Sequence, residues 1–479
     1  MKSPAQPPTP SKGSEIDLDI ESLAFGGRGI ARVEGFVIFV DDVLPGQRVR
    51  ARLVRKRGGY GEARVLQLLR QSPEFVAPRC RHFDDCGGCL FQNFDYAAQL
   101  EVKYRQVVET LQHLGGFAEP PVLPPIASPE VFYYRNKMEF SFSPQRWVTR
   151  AEVAGNFLSA PKDFALGLHV RDRFDKILAI DECHLQSAWS NRVLATVRRF
   201  TENHPLRPYT TRDHSGFWRH LMLREGKRTG ERMVNIVTAE HPTGRDEVEK
   251  LASALRQEFP ELTTMVHNLN RKRSQVAIGD EEIVLHGPGF IRERLGHCEF
   301  QISANSFFQT NTLAAELLYQ KVKEYAGLTG REIVFDLYCG AGTISIYLAA
   351  QAQMVVGFEI VPQAIHDAGM NGRLNNISNC EFIEGDLKDK LASPSSMKWG
   401  RPEVVIVDPP RSGMHPKVLA KLLDLSPSRI VYVSCNPATF ARDAKALCAA
   451  SYRLEKVQPV DMFPHTAHIE AVSLLARNA

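Results

Sequence analysis

Long apolar segments are absent from this chain, and none approaches the roughly 20 residues that a helix needs to cross a bilayer. The first 14 residues are rich in proline and serine and lack the apolar stretch of a signal peptide. A strong excess of charge is also absent, because 59 basic and 55 acidic residues leave a net charge of +4. We therefore expect a cytoplasmic monomer without a membrane partner, and overall charge gives no argument for nucleic acid.

Cysteine is scarce, with nine residues, and disulfides are not expected in a cytoplasmic chain. Three of the nine nevertheless lie within ten residues, at Cys80, Cys86 and Cys89. A fourth thiol ligand must come from elsewhere, and Cys183 is the best candidate. Four thiolates suit either zinc or a 4Fe–4S cluster. Zinc ribbons usually combine two motifs of paired cysteines, so one triple and one distant cysteine favour iron–sulfur. The alternative is a set of unrelated core cysteines.

The N-terminal part of the chain divides into a tail and a small barrel. Residues 1–14 hold four prolines and no hydrophobic pattern, which predicts a disordered tail. Residues 15–72 contain short alternating strands separated by glycine and proline turns, which predicts an all-β barrel. Arg48, Arg50 and Arg52 alternate along one strand face, and positions 43 to 61 hold no acid. Such a face suits an RNA phosphate backbone, although it could also be an ordinary solvated strand face.

The remaining chain is predicted to be α/β, with two to four domains in all. A helical pattern at 95–117 is followed by a proline-rich linker at 120–129, and residues 133 to about 295 show mixed α and β patterns. From about 304, strand and helix patterns alternate, which specifies a mainly parallel, doubly wound sheet. The predicted strands are Ile333–Leu337, Met354–Phe358, Glu381–Ile383, Val404–Val407 and Ile430–Val433, with a closing pair near Leu454–Val460 and Ile469–Leu475.

A glycine-containing loop, Asp336 to Thr343, follows the first of these strands and opens a helix. It lacks the G-x-G-x-x-G spacing of dinucleotide sites, but its glycines allow a ligand to approach the backbone closely. Glu359 ends the second strand, 19 residues after Gly340, and can accept hydrogen bonds from ribose hydroxyls. Asp386 follows the third strand and could reach an adenine. Together these features resemble an S-adenosylmethionine-binding Rossmann-like domain.

Two further strand ends bring a carboxyl group and a thiol to the same edge. Asp408, in Asp-Pro-Pro-Arg, follows the fourth strand, and Cys435 follows the fifth, before Asn436-Pro437. A buried structural cysteine is the alternative. Beside a methyl donor, a thiolate can add to C6 of a pyrimidine, which makes C5 nucleophilic enough to accept the methyl group. A base must then remove the C5 proton, and the candidates are Glu470, His465 and His468.

Five motifs occur in an order that resembles one enzyme family. They are FFQTN at 307–311, DLYCGAGT at 336–343, DPPRSG at 408–413, SCNPAT at 434–439 and HIE at 468–470. This set resembles the RNA uracil-C5 methyltransferases, which form 5-methyluridine in tRNA or 23S rRNA. The stretch from Ile20 to Ala31, with Val43–Gly46, resembles a TRAM domain, a small RNA-binding barrel. The four cysteines match family members that carry a 4Fe–4S cluster.

The resemblance implies roles for individual residues. Cys435 would be the nucleophile and Glu470 the general base, Phe307 would pack near the target nucleotide, and Arg135 would lie near the active site. Cofactor or active-site positions would be Gln309, Tyr338, Gly340, Thr343, Glu359, Asp386 and Asp408. Tyr338 and Thr343 depart from the family, where Phe and Asn are common at these positions. The resemblance also implies a central iron–sulfur domain at 73–94 and 125–303 and a methyltransferase domain at 95–124 and 304–479. It favours 23S rRNA over tRNA as the substrate.

Three other functions remain open. A radical S-adenosylmethionine methylthiotransferase also combines a TRAM domain with a cluster, but its cysteines follow C-x3-C-x2-C and those here follow C-x5-C-x2-C. A non-catalytic RNA-binding or chaperone protein with this fold would not need Cys435 together with Glu470. A cytosine-C5 methyltransferase would use the same thiol chemistry, and Asp408 does not decide between the two bases.

Overall fold

The computed structural model describes residues 10–273 and 277–478. Residues 1–9 of the predicted tail therefore lie outside the described part of the chain. Gly13 N donates to Leu53 O at 2.8 Å, and Leu53 N donates to Ser14 O at 3.0 Å, so residues 13 and 14 of the predicted tail pair with the first sheet. In the described part of the chain, no helix is both long and apolar enough to cross a membrane.

The first sheet has six strands in the order β1-β5-β6-β4-β3-β2. In β5 the apolar residues Val49, Ala51 and Leu53 are buried and the residues between them point outward, as the alternation predicts. The strands are β1 (Glu15–Asp19), β2 (Ser22–Leu23), β3 (Gly29–Val33), β4 (Phe36–Val40), β5 (Arg48–Lys56) and β6 (Tyr60–Arg70).

A helix lies between the first sheet and the second sheet in the order of the chain. Helix α1 (Tyr96–Thr110) begins at Asp95, whose side chain accepts from Ala97 N and Ala98 N, and it continues as a π-helical turn (Leu111–Gly115). The chain then turns at Gly116, which has a left-handed conformation, close to the predicted end of this helix.

The second sheet has seven strands in the order β13-β12-β11-β10-β7-β8-β9, and β14 and β15 form a separate hairpin. Phe140, Phe142 and Leu221 belong to the hydrophobic core of this region. The elements are β7 (Lys137–Ser143), α2 (Arg150–Gly155), β8 (Ala165–Val170), β9 (Arg173–Ala179), α3 (Ala188–Thr201), β10 (Trp218–Glu225), β11 (Arg232–Thr238), α4 (Gly244–Glu258), β12 (Thr264–Leu269), β13 (Glu281–His286), β14 (Phe290–Leu295) and β15 (Cys298–Ser303).

The third sheet has seven strands in the order β18-β17-β16-β19-β20-β22-β21. The first five strands are parallel, and β22 runs antiparallel to both of its neighbours, β20 and β21, so the predicted α/β class with a mainly parallel final sheet is confirmed. The elements are α5 (Thr312–Ala326), β16 (Ile333–Leu337), α6 (Thr343–Ala349), β17 (Met354–Glu359), α7 (Pro362–Leu374), β18 (Cys380–Glu384), α8 (Leu387–Lys390), α9 (Pro394–Met397), β19 (Val404–Val407), α10 (Pro416–Leu425), β20 (Arg429–Ser434), α11 (Pro437–Ala450), β21 (Tyr452–Val460) and β22 (Glu470–Arg477).

The proline-rich segment 120–129 lies along the outer edge of the third sheet. Leu123 N donates to Val457 O at 2.8 Å, and Ile126 N donates to Pro459 O at 2.9 Å. The segment predicted as a linker therefore also covers the backbone of edge strand β21, which would otherwise be open to pairing with another chain.

Candidate active site

The carboxyl ends of the five parallel strands bring the predicted site residues to one edge, where ligands bind in sheets of this kind. β16 is followed by Tyr338, β17 ends on Glu359, and β19 and β20 are followed by Asp408 and Cys435. In the antiparallel pair, Ser434 lies opposite Ala471. Continuing this register by one residue sets Cys435 opposite Glu470, the first residue of β22.

Cys435 is held between a strand and a helix start. Asn436 caps α11 by accepting from Ala438 N at 3.1 Å, and its Nδ2 donates to Arg411 O at 3.0 Å. Burial, and then the charges of Glu470 and Asp408, raise the pKa of Cys435 to about 11, whereas Arg411 lowers it. The thiol is therefore protonated at neutral pH, and forming the thiolate requires help from its surroundings.

The two carboxyl groups beside the thiol are also hard to ionise. Burial raises the pKa of Glu470 well above its usual value, with Asp408 adding to this and Arg411 opposing it. Burial, with Asp336, raises the pKa of Asp408 to about 7. A carboxylate with a raised pKa is a stronger base once it is ionised. Arg411 favours both the thiolate and the carboxylate, a role that the sequence motif did not reveal.

The rival bases differ in position. His468 lines the same cavity as Cys435. His465 instead contacts the core of the molecule, where its ring is tilted against the Phe132 ring with centroids 4.4 Å apart and its Nδ1 lies 3.3 Å from Gln99 Nε2. Burial lowers the pKa of each histidine to about 4, so both rings are neutral at pH 7. Of the two histidines, only His468 lies where it could take a proton from a nucleobase bound in the cavity.

A cavity of about 710 Å³, here called the target cavity, opens in front of Cys435. Phe307 is 72% exposed at its wall, where an aromatic ring can stack on a nucleobase. Asn136, next to Arg135, ties this wall to the second sheet, because its Nδ2 donates to Gln309 O at 2.8 Å. The predicted residues that line the target cavity are Arg135, Phe307, Gln309, Cys435 and His468, together with the four cysteines Cys80, Cys86, Cys89 and Cys183.

A second cavity of about 420 Å³, here called the cofactor cavity, is lined by Tyr338, Glu359 and Asp386. The carboxylate of Glu359 accepts from the backbone N–H groups of Gly340, Ile360 and Val361 at 2.7 to 3.1 Å. This fixes its orientation and leaves lone pairs for further donors. Gln309, which was predicted as a cofactor or active-site position, lines the target cavity.

The loop beside the cofactor cavity has a fixed shape. Tyr338 has a left-handed backbone with φ of 65°, which is strained for a residue with a side chain. At Gly342 a side chain would come within 2.8 Å of the Phe382 ring, so glycine is required there. Thr343 begins α6, and its Oγ1 is 2.7 Å from the Tyr319 hydroxyl.

The four predicted cysteine ligands share the target cavity, but a metal centre is not confirmed. Burial raises the pKa of all four thiols, that of Cys86 to about 12. Gly88 N lies 3.4 Å from Cys86 Sγ, and Gln92 Nε2 lies 3.3 Å from Cys89 Sγ. Within residues 10–273 and 277–478, no group of three or more His, Cys, Asp or Glu side chains could hold a single metal ion.

The barrel arginines point outward, as predicted, but they face acids on the neighbouring strand β1. Because β1 pairs with β5, each arginine meets an acidic partner, which local sequence did not reveal. The positive charge of this face is therefore largely neutralised, and its RNA-binding role stays a prediction. The pairs are Arg52–Glu15 at 2.7 Å, Arg50–Asp17 at 2.8 Å and Arg48–Asp19 at 4.0 Å.

A buried network fixes the segment 461–465, which precedes Glu470. Lys103 of α1 donates to Asp461 Oδ1 at 2.7 Å, and neither side chain is exposed. Tyr96 donates to Asp461 Oδ2 at 2.9 Å. Other contacts to this segment are Lys103 Nζ to Phe463 O, Asn311 Nδ2 to Met462 O, Tyr134 OH to Pro464 O, His465 N to Gln99 Oε1, and Leu90 N and Phe91 N to His465 O. No sequence pattern indicated this network.

Comparison with known proteins assigns the chain to a family. The family model described as tRNA (Uracil-5-)-methyltransferase matches residues 228–393 and 395–478, and the TRAM domain model matches residues 11–66. An RNA methyltransferase of Chlorobaculum tepidum is 43% identical over 97% of both chains. One of Porphyromonas gingivalis is 42% identical over 96% of this chain and 100% of the relative.

A solved structure is similar over almost the whole chain. The Pyrococcus abyssi tRNA (uracil-54, C5)-methyltransferase, crystallised with S-adenosyl-L-homocysteine, is 32% identical. Its TM-score is 0.74, with 96% of this chain and 100% of that chain covered. The family match and these relatives together show that the chain belongs to the tRNA (uracil-5-)-methyltransferase family and is an RNA methyltransferase with a TRAM domain.

Proposed function

We propose that the protein transfers a methyl group from S-adenosylmethionine to C5 of a uridine in RNA, through a covalent bond between Cys435 and C6. The observation that carries this proposal is that Cys435 and the buried carboxyl group of Glu470 come directly after the last recorded pair of β20 and β22, Ser434 with Ala471, at the ligand-binding edge, where the charge of Glu470 acts on the thiol. Family membership supports the uracil-C5 specificity, and argues against a methylthiotransferase.

The chemistry requires two roles from this chain. Cys435 Sγ, as a thiolate, forms a bond to C6 of the uracil, and the displaced electron pair makes C5 nucleophilic. S-adenosylmethionine, when bound, supplies the methyl group that C5 accepts. Glu470 then takes the proton from C5, the C5–C6 double bond forms again, and the Sγ–C6 bond breaks. The thiolate is regenerated and the product carries one methyl group in place of one proton.

Charges around the thiol influence which groups are ionised in these steps. Arg411 lowers the pKa of both Cys435 and Glu470, so it favours the ionised form of each. Mutual repulsion between Glu470 and Asp408 opposes ionisation of both carboxyl groups together, and the carboxylate that does form is strongly basic. Phe307 would stack on the extruded uracil, which must leave its helix or loop stack to reach the thiol.

The cofactor cavity suits S-adenosylmethionine. Its volume and its acidic residues at the ends of β17 and β18 fit a nucleoside, since Glu359 would accept from ribose hydroxyls and Asp386 would face the adenine. The bound S-adenosyl-L-homocysteine of the Pyrococcus abyssi relative supports the same assignment. Gly340 and Thr343 would shape the loop, and Gln309 and Asp408 would lie between cofactor and uracil.

We include a 4Fe–4S cluster on Cys80, Cys86, Cys89 and Cys183 in the proposal. This part of the proposal rests on the four thiols lining one cavity, since four thiolates can hold such a cluster. The N–H groups near Cys86 and Cys89 are of the kind that donate to cluster sulfurs. A domain at 73–94 and 125–303 would carry the cluster, and 95–124 and 304–479 would form the methyltransferase domain.

The cluster predicts a spectroscopic difference between two cysteine variants. Protein purified without oxygen should absorb light at about 400 nm, and Cys86→Ala should lose this absorption band because one cluster ligand is missing. Cys298→Ala, a buried cysteine of β15 outside the set, should keep it. Zinc in place of iron, or a band that Cys86→Ala retains, would contradict the cluster.

The enzyme's product should be identified with labelled methyl donor. Purified protein, methyl-labelled S-adenosylmethionine and total RNA from a strain lacking the gene should yield labelled 5-methyluridine after digestion to nucleosides. We expect the label in 23S rRNA. A tRNA substrate is the second candidate, since the relative that is 32% identical acts on tRNA. Label in 5-methylcytidine would assign the cytosine reaction instead, and no label in any RNA would support a non-catalytic RNA-binding protein.

A further inference from the structure

The second sheet carries a further cavity of about 960 Å³, here called the side cavity, which the proposed reaction does not use. It is formed by the end of β7, by β8 and β9, by residues 209–213 and by the start of β10. Its walls include Trp147 and its rim includes Phe174. Cavities of this size accommodate ligands of several hundred daltons, such as a nucleotide.

The floor of the side cavity is polar and almost fully buried. Ser141 Oγ lies 3.3 Å from His220 Nδ1 and 3.4 Å from His169 Nε2. Ser141 and His220 are only 8% and 6% exposed, and they lie opposite each other on β7 and β10. His220 makes its contact with Ser141 through Nδ1. Burial, with the charge of Arg219, lowers the pKa of His220 to about 4, so its neutral ring offers one donor and one acceptor.

The rim of the side cavity is aromatic and basic. Phe174 is 82% exposed, an unusual state for a phenylalanine in a strand. Tyr209 lies across the cavity lining, with the Arg219 guanidinium 4.2 Å from its ring centre. The charged side chains in the lining are Arg146, Lys176, Arg212, Arg219, Asp175 and Asp213. Arg146 pairs with Glu152 at 2.8 Å and Lys176 pairs with Asp175 at 3.0 Å, so the basic groups of the lining outside these two ion pairs are Arg212 and Arg219.

The side cavity and the target cavity share strand β7. Glu139 lines the target cavity, and Ser141, two residues further on the same face, lines the side cavity. Two strand residues span about 6–7 Å, so an RNA chain in the target cavity could reach the side cavity within a few nucleotides. The wall is also anchored, because Asp85 of the cysteine segment accepts from Trp147 Nε1 at 3.2 Å.

We propose that the side cavity binds an unpaired nucleobase of the RNA substrate, close in sequence to the target uridine. Phe174 and Tyr209 supply stacking surfaces, and Ser141 with His220 contacts the hydrogen-bonding edge of the base. Arg212 would contact an adjoining phosphate. The inference rests on the proposed function for RNA as the polymer, but not on the chemistry of Cys435.

The test measures RNA binding separately from catalysis. In a Cys435→Ala background, a fluorescein-labelled, mixed-sequence, single-stranded RNA of about 12 nucleotides, within the usual range of single-strand sites, is titrated by fluorescence anisotropy. Phe174→Ala should weaken binding by about fivefold to a hundredfold, the value of one base stacked on an aromatic ring. Phe157→Ala, an exposed aromatic of the same region outside the cavity lining, should not. Ultraviolet crosslinking of the same RNA should label peptides containing Phe174 or Tyr209.

Equal binding by Phe174→Ala and Phe157→Ala, or crosslinks that lie only outside the side cavity, would overturn this inference. Neither result would affect the proposed reaction, which would still form 5-methyluridine. Conversely, if the wild-type protein formed no methylated RNA while Phe174→Ala still weakened binding, the proposed function would fail and the side cavity would stand.

Discussion

Replacing Cys435 with alanine should reduce methyl transfer to RNA by about 10⁴-fold or more, as expected when a covalent nucleophile is removed. Uracil C5 is a poor nucleophile until a thiolate has added to C6, and no other cysteine lies opposite Glu470 in the described sheet. The measurement is the initial rate with labelled methyl donor. Cys448→Ala changes a half-buried cysteine on the helix that follows Cys435, and should retain activity.

The pH dependence provides a check on the same prediction. Because burial and two neighbouring carboxyl groups raise the pKa of Cys435 to about 11, the thiol is the main form in the free enzyme. The thiolate fraction increases as pH rises toward this pKa, so adduct formation at low RNA concentration should be faster at about pH 9 than at about pH 7. A rate that falls over this range, or a Cys435→Ala variant with near-normal turnover, would contradict the assignment.

Replacing Lys103 with methionine should lower the free energy of unfolding by about 3–5 kcal/mol, the usual cost of removing one partner of a buried ion pair. Asp461 would keep a buried carboxylate with only the hydrogen bond from Tyr96 and a backbone N–H to compensate it. Since Asp461 begins the segment that leads to Glu470, turnover of the folded variant should fall as well. Denaturant unfolding and initial rates measure the two effects.

Arg105→Met is the matched control for this prediction. Arg105 lies on the same helix, and its side chain is exposed in an ion pair with Glu101. Exposed pairs of this kind are worth about 0.3–0.5 kcal/mol, so the control should change stability little. Equal stability of Lys103→Met and Arg105→Met would show that the buried pair does not hold the segment in place.

The sheet edge was predictable because its evidence is local in sequence. Each strand shows a run of apolar residues followed by a functional group, and parallel strands necessarily end at one edge. This reasoning put Glu359, Asp408 and Cys435 at one edge, and the structure places the ends of their strands there. Predicting that Glu470 lies near Cys435 also requires the antiparallel register of β20 and β22, which depends on how the final two strands join the sheet.

Contacts between distant parts of the chain were not predictable in this way. Asp17 and Glu15 of β1 lie 33 and 37 residues from the arginines they neutralise, so the absence of acids from position 43 to 61 was misleading. Lys103 and Asp461 are 358 residues apart, and each alone has the appearance of a surface charge. The proline-rich stretch near Leu123 gave no sign that it covers a strand edge, because prolines predict a linker from composition alone.

The central claim is that Cys435 bonds to the target base and Glu470 releases it. The most direct test incubates wild type, Cys435→Ser and Glu470→Gln with RNA and S-adenosylmethionine, and identifies RNA-linked peptides by mass spectrometry. On 5-fluorouracil-substituted RNA, which has no C5 proton to lose, wild type should be trapped with a methylated nucleotide on the peptide containing Cys435. On ordinary RNA, Glu470→Gln should accumulate the same linkage, and Cys435→Ser should form none on either RNA. Equal trapping by wild type and Cys435→Ser, or a linkage at another residue, would contradict the account.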